Sequence, residues 1–290
     1  MFRFLGTSAG EQYPGIWCNC SNCAESRCLG GRNIRRNSAA HIAPNILIDF
    51  PPSIPDQARD WGVSLADIEY LLVTHAHEDH FCPWYLRWRY FPKDRVLPPK
   101  GDEMGPLFSR PKLLHLYGNE VVLRDARRWV GDDPRAHLLE LHRALPGQRV
   151  DLDTFSFVPV LANHDPSQEC LNYIIMVGGK TILYATDTAW FLPETMEIIH
   201  DFRYDLVVMD GTFGFNNSYD ATAPGHSNFH INEEALRLFQ AHSLLKDGGQ
   251  FVITHTGPHH APPYDICAPL LKKKGLVLAY DGMQIELQGR

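Results

Sequence analysis

Tyr70-Leu71-Leu72-Val73-Thr74-His75-Ala76-His77-Glu78-Asp79-His80 is the stretch that decides the fold. Its first half is a short apolar run of the kind that forms a buried strand. That run empties directly into His75-x-His77-x-Asp79-His80, three imidazoles and a carboxylate within six residues. Neither the alternation of a strand nor one face of a helix can aim all four the same way. A tight loop between the two can gather them around a pair of cations. Imidazole and carboxylate suit Zn, Mn or Fe, with one coordination position left open for water.

Further along, apolar runs end in more potential ligands. Val158 to Ala162 leads to His164, Ile182 to Thr186 leads to Asp187, and Phe251 to Thr254 leads to His255. Besides Tyr70–Thr74, strands are predicted at Met1–Leu5, Asn45–Asp49, Leu113–Tyr117, Phe155–Leu161, Leu171–Val177, Thr181–Ala185, Leu206–Met209, Gln250–Thr254 and Met283–Leu287. Helices are predicted at Ser53–Trp61, Glu120–Val130, Glu194–Asp201, Asn232–Leu245 and Pro263–Lys273. Asn232 with the acids Glu233 and Glu234 suits a helix start, and Gly248-Gly249 suits a stop before the next strand. Phe91 to Pro111, rich in proline, reads as a surface insertion able to act as a lid.

At 290 residues and 44% hydrophobic, the chain can bury the core of one α/β domain spanning 1–290. The net charge of -7 argues against a nucleic-acid partner, which would call for a basic surface. No apolar run approaches the roughly 18 residues of a membrane span. The N-terminus lacks the apolar core and cleavage site of a signal peptide, so the expected compartment is the cytoplasm. Thiols stay reduced there, and four of the seven cysteines crowd between Cys18 and Cys28, which favours metal over disulfides. Cys18-x-Cys20-x2-Cys23 is spaced for a tetrahedral zinc on an irregular loop spanning 17–28, with Cys28 the nearest fourth thiol in sequence.

The run from His75 to His80 at a strand end resembles the signature of the metallo-β-lactamase superfamily. The resemblance implies a four-layer αβ/βα sandwich with two sheets packed face to face. It implies two divalent catalytic ions, Zn or Mn, that hold water as hydroxide and clamp the oxygens of a substrate. His75, His77 and His164 would hold the first ion and Asp79, His80 and His255 the second, with Asp187 bridging; Asp79 thereby counts as catalytic too. The cysteine loop resembles that of two branches, the phosphoribosyl cyclic phosphate phosphodiesterases and the PqqB-type proteins. Both branches close one structural zinc with a histidine shortly after the last catalytic histidine. The phosphodiesterases place it three positions on, at Pro258 here, so His259 is the best match, with His260 and Cys28 behind it.

Pro224-Gly225-His226-Ser227 resembles the Gly-His element that phosphodiesterases of the superfamily place beside the leaving group. His226 is therefore the candidate general acid, with His230 as competitor. Asp210-Gly211-Thr212-Phe213 resembles the element that supports such a histidine. Arg35-Arg36-Asn37-Ser38, Thr186-Asp187-Thr188-Ala189 and Asp281-Gly282-Met283-Gln284-Ile285 also match the phosphodiesterase branch in order. The expected activity is hydrolysis of a small cyclic sugar phosphodiester. A non-hydrolytic PqqB-like protein would lack the intact histidine run, and a tRNase Z-like ribonuclease would carry an arm and basic surface. The expected partner is a small phosphodiester, without membrane; a homodimer is compatible with the chain.

Overall fold

The computed structural model describes residues 1–89, 111–218, 220 and 222–286. The insertion expected at Phe91–Pro111 lies outside these apart from Pro111, as does Leu287 at the end of the last predicted strand. The chain runs through β1 (Phe2–Gly6), β2 (Ala39–Ile42), β3 (Ile46–Ile48), β4 (Tyr70–Leu72), β5 (Leu114–Gly118) and β6 (Leu139–Arg143). It continues through β7 (Val150–Asp151), β8 (Phe155–Leu161), β9 (Leu171–Val177), β10 (Lys180–Ala185), β11 (Tyr204–Asp210), β12 (Leu245–Thr254), β13 (Val277–Leu278) and β14 (Gln284–Ile285). The helices are α1 (Ser21–Leu29), α2 (Ile54–Asp60), α3 (Glu120–Val130), α4 (Pro193–His200), α5 (Phe229–Ala241) and α6 (Tyr264–Lys272).

Two seven-stranded sheets form, in the orders β14-β1-β2-β3-β4-β5-β6 and β13-β12-β11-β10-β9-β8-β7. The strands β3 to β6 are mutually parallel, and so are β10 to β13. Side chains from both inner faces, among them Phe4, Leu72, Phe157, Tyr173 and Tyr184, make one core between the sheets. The outer face of the first sheet packs Leu71 and Leu116 against Ile54 of α2 and Val122 of α3. The outer face of the second packs Val160 and Ile253 against Ile199, Phe239 and Leu271 of α4, α5 and α6. The result is the αβ/βα sandwich with four layers. Because both faces of most strands are covered, the sequence shows continuous apolar runs rather than alternation.

Several details depart from the expected pattern. Pro159 sits inside β8, where the partner strand β7 reaches only as far as Phe157. Beyond that point Pro159 needs no ladder N–H, and its carbonyl accepts the Gly147 N–H at 2.8 Å. Helix α5 starts at Phe229, capped by Asn228, whose side chain accepts the Ile231 N–H at 2.8 Å. Asn232 lies within the helix and donates instead to the carbonyls of Asp210 and Asn228. The helix ends at Ala241, and Gly248-Gly249 belongs to β12, in the stretch where its register against β11 shifts. Strands β2, β6, β7 and β13 were not expected; β7 and β13 have two residues each and β6 is too polar to stand out as an apolar run. Among the described residues no helix is long and apolar enough to cross a membrane.

Phe157 is fully buried between the sheets and meets Tyr117 and Tyr173 edge-on at 5.1 and 5.8 Å. Phe157→Ala is expected to destabilise the fold by about 3–5 kcal/mol. Urea unfolding would register this as a lower midpoint at unchanged slope; a loss under 1 kcal/mol would mean this layer is not packed as described.

Candidate active site

The loops after β3, β4, β8, β10 and β12 converge where the carboxyl ends of both parallel segments meet. His77 Nδ1 lies 2.9 Å from His75 Nε2 and 3.2 Å from His164 Nε2. Beside this trio, His80 Nε2 and His255 Nε2 are 3.0 Å apart, and Asp79 Oδ2 is 3.3 and 3.5 Å from the same two atoms. Asp187 spans the two groups. Its Oδ2 is 2.8 Å from His80 Nε2 and 3.1 Å from His255 Nε2, while its Oδ1 is 3.6 Å from His164 Nε2.

Each imidazole has its other ring nitrogen engaged. His75 Nδ1 meets Thr74 Oγ1 at 3.0 Å, whose own proton goes to Asp49. His77 Nε2 donates to Asp165 Oδ2 at 3.0 Å and His80 Nδ1 to Asp49 Oδ2 at 2.8 Å. His164 Nδ1 donates to the Gly225 carbonyl at 2.9 Å and His255 Nδ1 to Thr212 Oγ1 at 2.8 Å. With those positions protonated, all five inward nitrogens present lone pairs to one another and to two carboxylates. Asp187 Oδ2 is buried, and apart from the imidazole nitrogens of His80 and His255 it meets no hydrogen-bond donor among the described residues. Such an arrangement requires positive charge at its centre, so the residues fit divalent cations.

The electrostatics agree. Burial resists the charge on Asp187, yet His255 and His80 hold its carboxyl well below the usual range. Burial also resists a proton on His80, while Asp187, Asp79 and Asp49 draw one to it far above the ordinary imidazole range. Burial, with His80 beside it, pushes His75 well down. Proton and metal compete for the same lone pairs. Backbone strain concentrates here too: Asp49, Asp187 and His255 adopt left-handed φ values of 63°, 50° and 55°, each costing about 1–3 kcal/mol.

A cleft of about 340 Å³ opens over these groups, lined by His77, Asp79, His164, Asp187, His226 and His255. His226 Nδ1 is 3.1 Å from Asp210 Oδ2 and 3.2 Å from Thr212 Oγ1. Asp210 also accepts the N–H groups of Asp187, Thr212 and Ser227. Burial works against a proton on His226, but the Asp210 carboxylate raises its affinity for one above the ordinary value. His230 is exposed on α5, 3.3 Å from Glu234, and does not line the cleft. Of the two histidines, His226 faces the candidate ligand groups and His230 does not.

A family model described as a beta-lactamase superfamily domain matches residues 99–256, more than half of the chain. The chain belongs to the beta-lactamase superfamily. Coenzyme PQQ synthesis protein B of Acinetobacter baumannii (strain SDF) is 25% identical over 319 aligned residues, covering 98% of both chains. A solved diphosphatase of the PhnP family superposes with a TM-score of 0.70 at 21% identity, over 97% of this chain and 94% of that one. Zinc-bound PqqB from Methylobacterium extorquens gives a TM-score of 0.70 at 17% identity, over 99% of each. These likenesses show a common metallo-β-lactamase sandwich.

A second cluster in this superfamily member reaches the same cleft through His259. Cys18, Cys20 and His259 bring their ligand atoms within 4.8 Å of one another. Cys18 Sγ is 3.9 Å from His259 Nδ1, and Glu11 Oε2 holds the opposite nitrogen of His259 at 2.6 Å. Cys23 is buried beside Cys18 and Cys20 and accepts the Gly15 N–H at 3.3 Å. Contrary to the expected irregular loop, α1 starts at Ser21, so Cys23 and Cys28 are helical. The Cys23 backbone N–H holds the Cys20 thiol down at about 7, whereas burial pushes Cys23 up to about 12. Cys28 is exposed, and His260 lines the cleft with Nδ1 3.4 Å from Asn216.

Sequence reasoning missed Asp49, Asp165 and Glu11. Asp49 closes the predicted strand Asn45–Asp49, and an acid ending a buried run was the available signal. Asp165 directly follows a predicted ligand, while nothing local marks Glu11. Asp49→Asn keeps the shape but can offer His80 Nδ1 a donor instead of an acceptor. Chelator competition should show metal affinity falling about 10–100-fold. Unchanged affinity would show that Asp49 does not set the His80 tautomer.

Proposed function

We propose that this chain is a dinuclear metal-dependent phosphodiesterase acting on a small cyclic sugar phosphodiester. The observation that carries the reading is Asp187, one carboxylate facing both ligand groups, with a buried oxygen whose close polar neighbours are the candidate ligand imidazoles. Two divalent cations, Zn or Mn, held by His75, His77 and His164 and by Asp79, His80 and His255 about Asp187, would when bound supply a water nucleophile at neutral pH and offset charge on the phosphoryl oxygens. A structural zinc would occupy Cys18, Cys20, Cys23 and His259, and free thiols there suit a reducing compartment such as the cytoplasm.

The chain's own residues supply the rest. The Asp210 carboxylate orients His226 through Nδ1, which turns Nε2 toward the cleft. From there the imidazolium hands its proton to the departing alkoxide as the P–O bond breaks, and Asp210 stabilises the charge beforehand. A cleft of about 340 Å³ matches a small substrate better than a folded RNA. The chain's net charge of -7 points the same way.

A second reading, a role in coenzyme PQQ synthesis, is favoured by the end-to-end match to proteins of that name. A screen of cyclic and linear phosphodiesters, including ribose 1,2-cyclic phosphates and a tRNA precursor, separates the two. Turnover of the cyclic substrates supports the phosphodiesterase; activity on none, with metals bound, moves the balance to the second reading.

Two variants test the roles. Asp187→Ala should lose catalytic metal while elemental analysis still finds the cysteine-bound ion, and should not turn over bis(p-nitrophenyl) phosphate. His226→Ala should lose about 10²–10⁴-fold in kcat on an alkyl phosphodiester. On bis(p-nitrophenyl) phosphate, whose leaving group needs no proton, it should lose far less. Equal losses on both would remove His226 as the acid.

A further inference from the structure

Away from the cleft, β6 is the edge strand of the first sheet, beside β5, among the described residues. His115 lies opposite Glu140 in this parallel pair, and Tyr117 lies opposite His142. Residues 140 and 142 are two apart, so they share a face of β6 with their partners on β5. His115 Nδ1 and His142 Nε2 approach to 3.1 Å. Glu140 Oε2 is 3.4 Å from the first and 3.8 Å from the second.

We propose that His115, Glu140 and His142 form a further metal site that takes zinc(II), with water in the fourth position. A tetrahedral zinc with nitrogen or oxygen ligands at its usual bond lengths sets them about 3.3–3.4 Å apart. The three separations here bracket that value, so a cation could be seated with shifts of a few tenths of an ångström. The rings are already held in place. Tyr70 stacks on His115 with centroids 5.5 Å apart, and Tyr117 stacks on His142 at 4.6 Å. The second oxygen of Glu140 is 3.3 Å from Nη2 of the exposed Arg135. Side chains held by packing and by outer partners are what a precise metal site needs. All three remain partly open to solvent, with side-chain exposures of 27%, 28% and 34% for His115, Glu140 and His142. An ion can therefore reach the site without opening the fold.

An ordinary surface pair provides the control. His230 and Glu234 lie one helical turn apart on α5 and are 3.3 Å apart. They offer two donors, without the third that closes a site.

The full chain and the variants His142→Gln, Glu140→Gln and His230→Gln are brought to zinc saturation by equilibrium dialysis, and bound zinc is counted per chain. The wild type and His230→Gln should each hold one zinc more than His142→Gln. Glu140→Gln should bind that last zinc about tenfold more weakly or worse. The same stoichiometry and affinity in all four would overturn the proposal. Should His142→Gln fail to fold, Glu140→Gln decides alone, and unchanged zinc affinity in that folded variant overturns it. If the dinuclear reading of the cleft is wrong, all four proteins lose the same number of ions and the difference between them survives.

Discussion

Five imidazole nitrogens and two carboxylates crowd together at the floor of the cleft with their lone pairs facing one another. Such electrostatics are unfavourable unless a proton or a cation sits among them. The rest of the site is arranged to hold the groups there regardless. Thr74, Asp49, Asp165, Thr212 and the Gly225 carbonyl each take an outward ring N–H, so the inward nitrogen of each neutral ring is left as an acceptor. Three ligand-region residues accept left-handed backbone to reach their places. That strain persists because the sandwich on both sides over-determines it.

Asp210 shows how the second sheet serves the site. It is the last residue of β11, fully buried, and its side chain gathers His226, Thr212 and the backbone of Asp187 and Ser227. Asn232, inside α5, holds the Asp210 carbonyl from behind. One carboxylate thus fixes both the acid candidate and the backbone of the residue between the two ligand groups. The cysteine cluster touches the cleft through His259, whose ring Glu11 orients.

Much of this was legible beforehand, for a physical reason. Ligands at the ends of buried strands leave an apolar run followed by His or Asp, and that pattern marked His75, His77, Asp79, His80, His164, Asp187 and His255. The outer partners left little trace. A carboxylate that accepts one N–H needs no motif, and Glu11 is separated from His259 by 248 positions. Helix starts were misjudged where two asparagines competed: Asn228 caps α5, while Asn232 has the same cap-forming chemistry but is spent on Asp210.

The amino-acid sequence by itself determined the sandwich class and marked the candidate ligand residues in their order, because strand burial and residue type are local properties of residue and spacing. Only the tertiary structure decided which nitrogen of each ring faces inward, that His226 rather than His230 meets the cleft, and that His259 rather than Cys28 joins Cys18 and Cys20. These choices depend on contacts between segments far apart in the chain. Packing of one sheet on the other brings those segments together, and no local pattern encodes their distance or orientation.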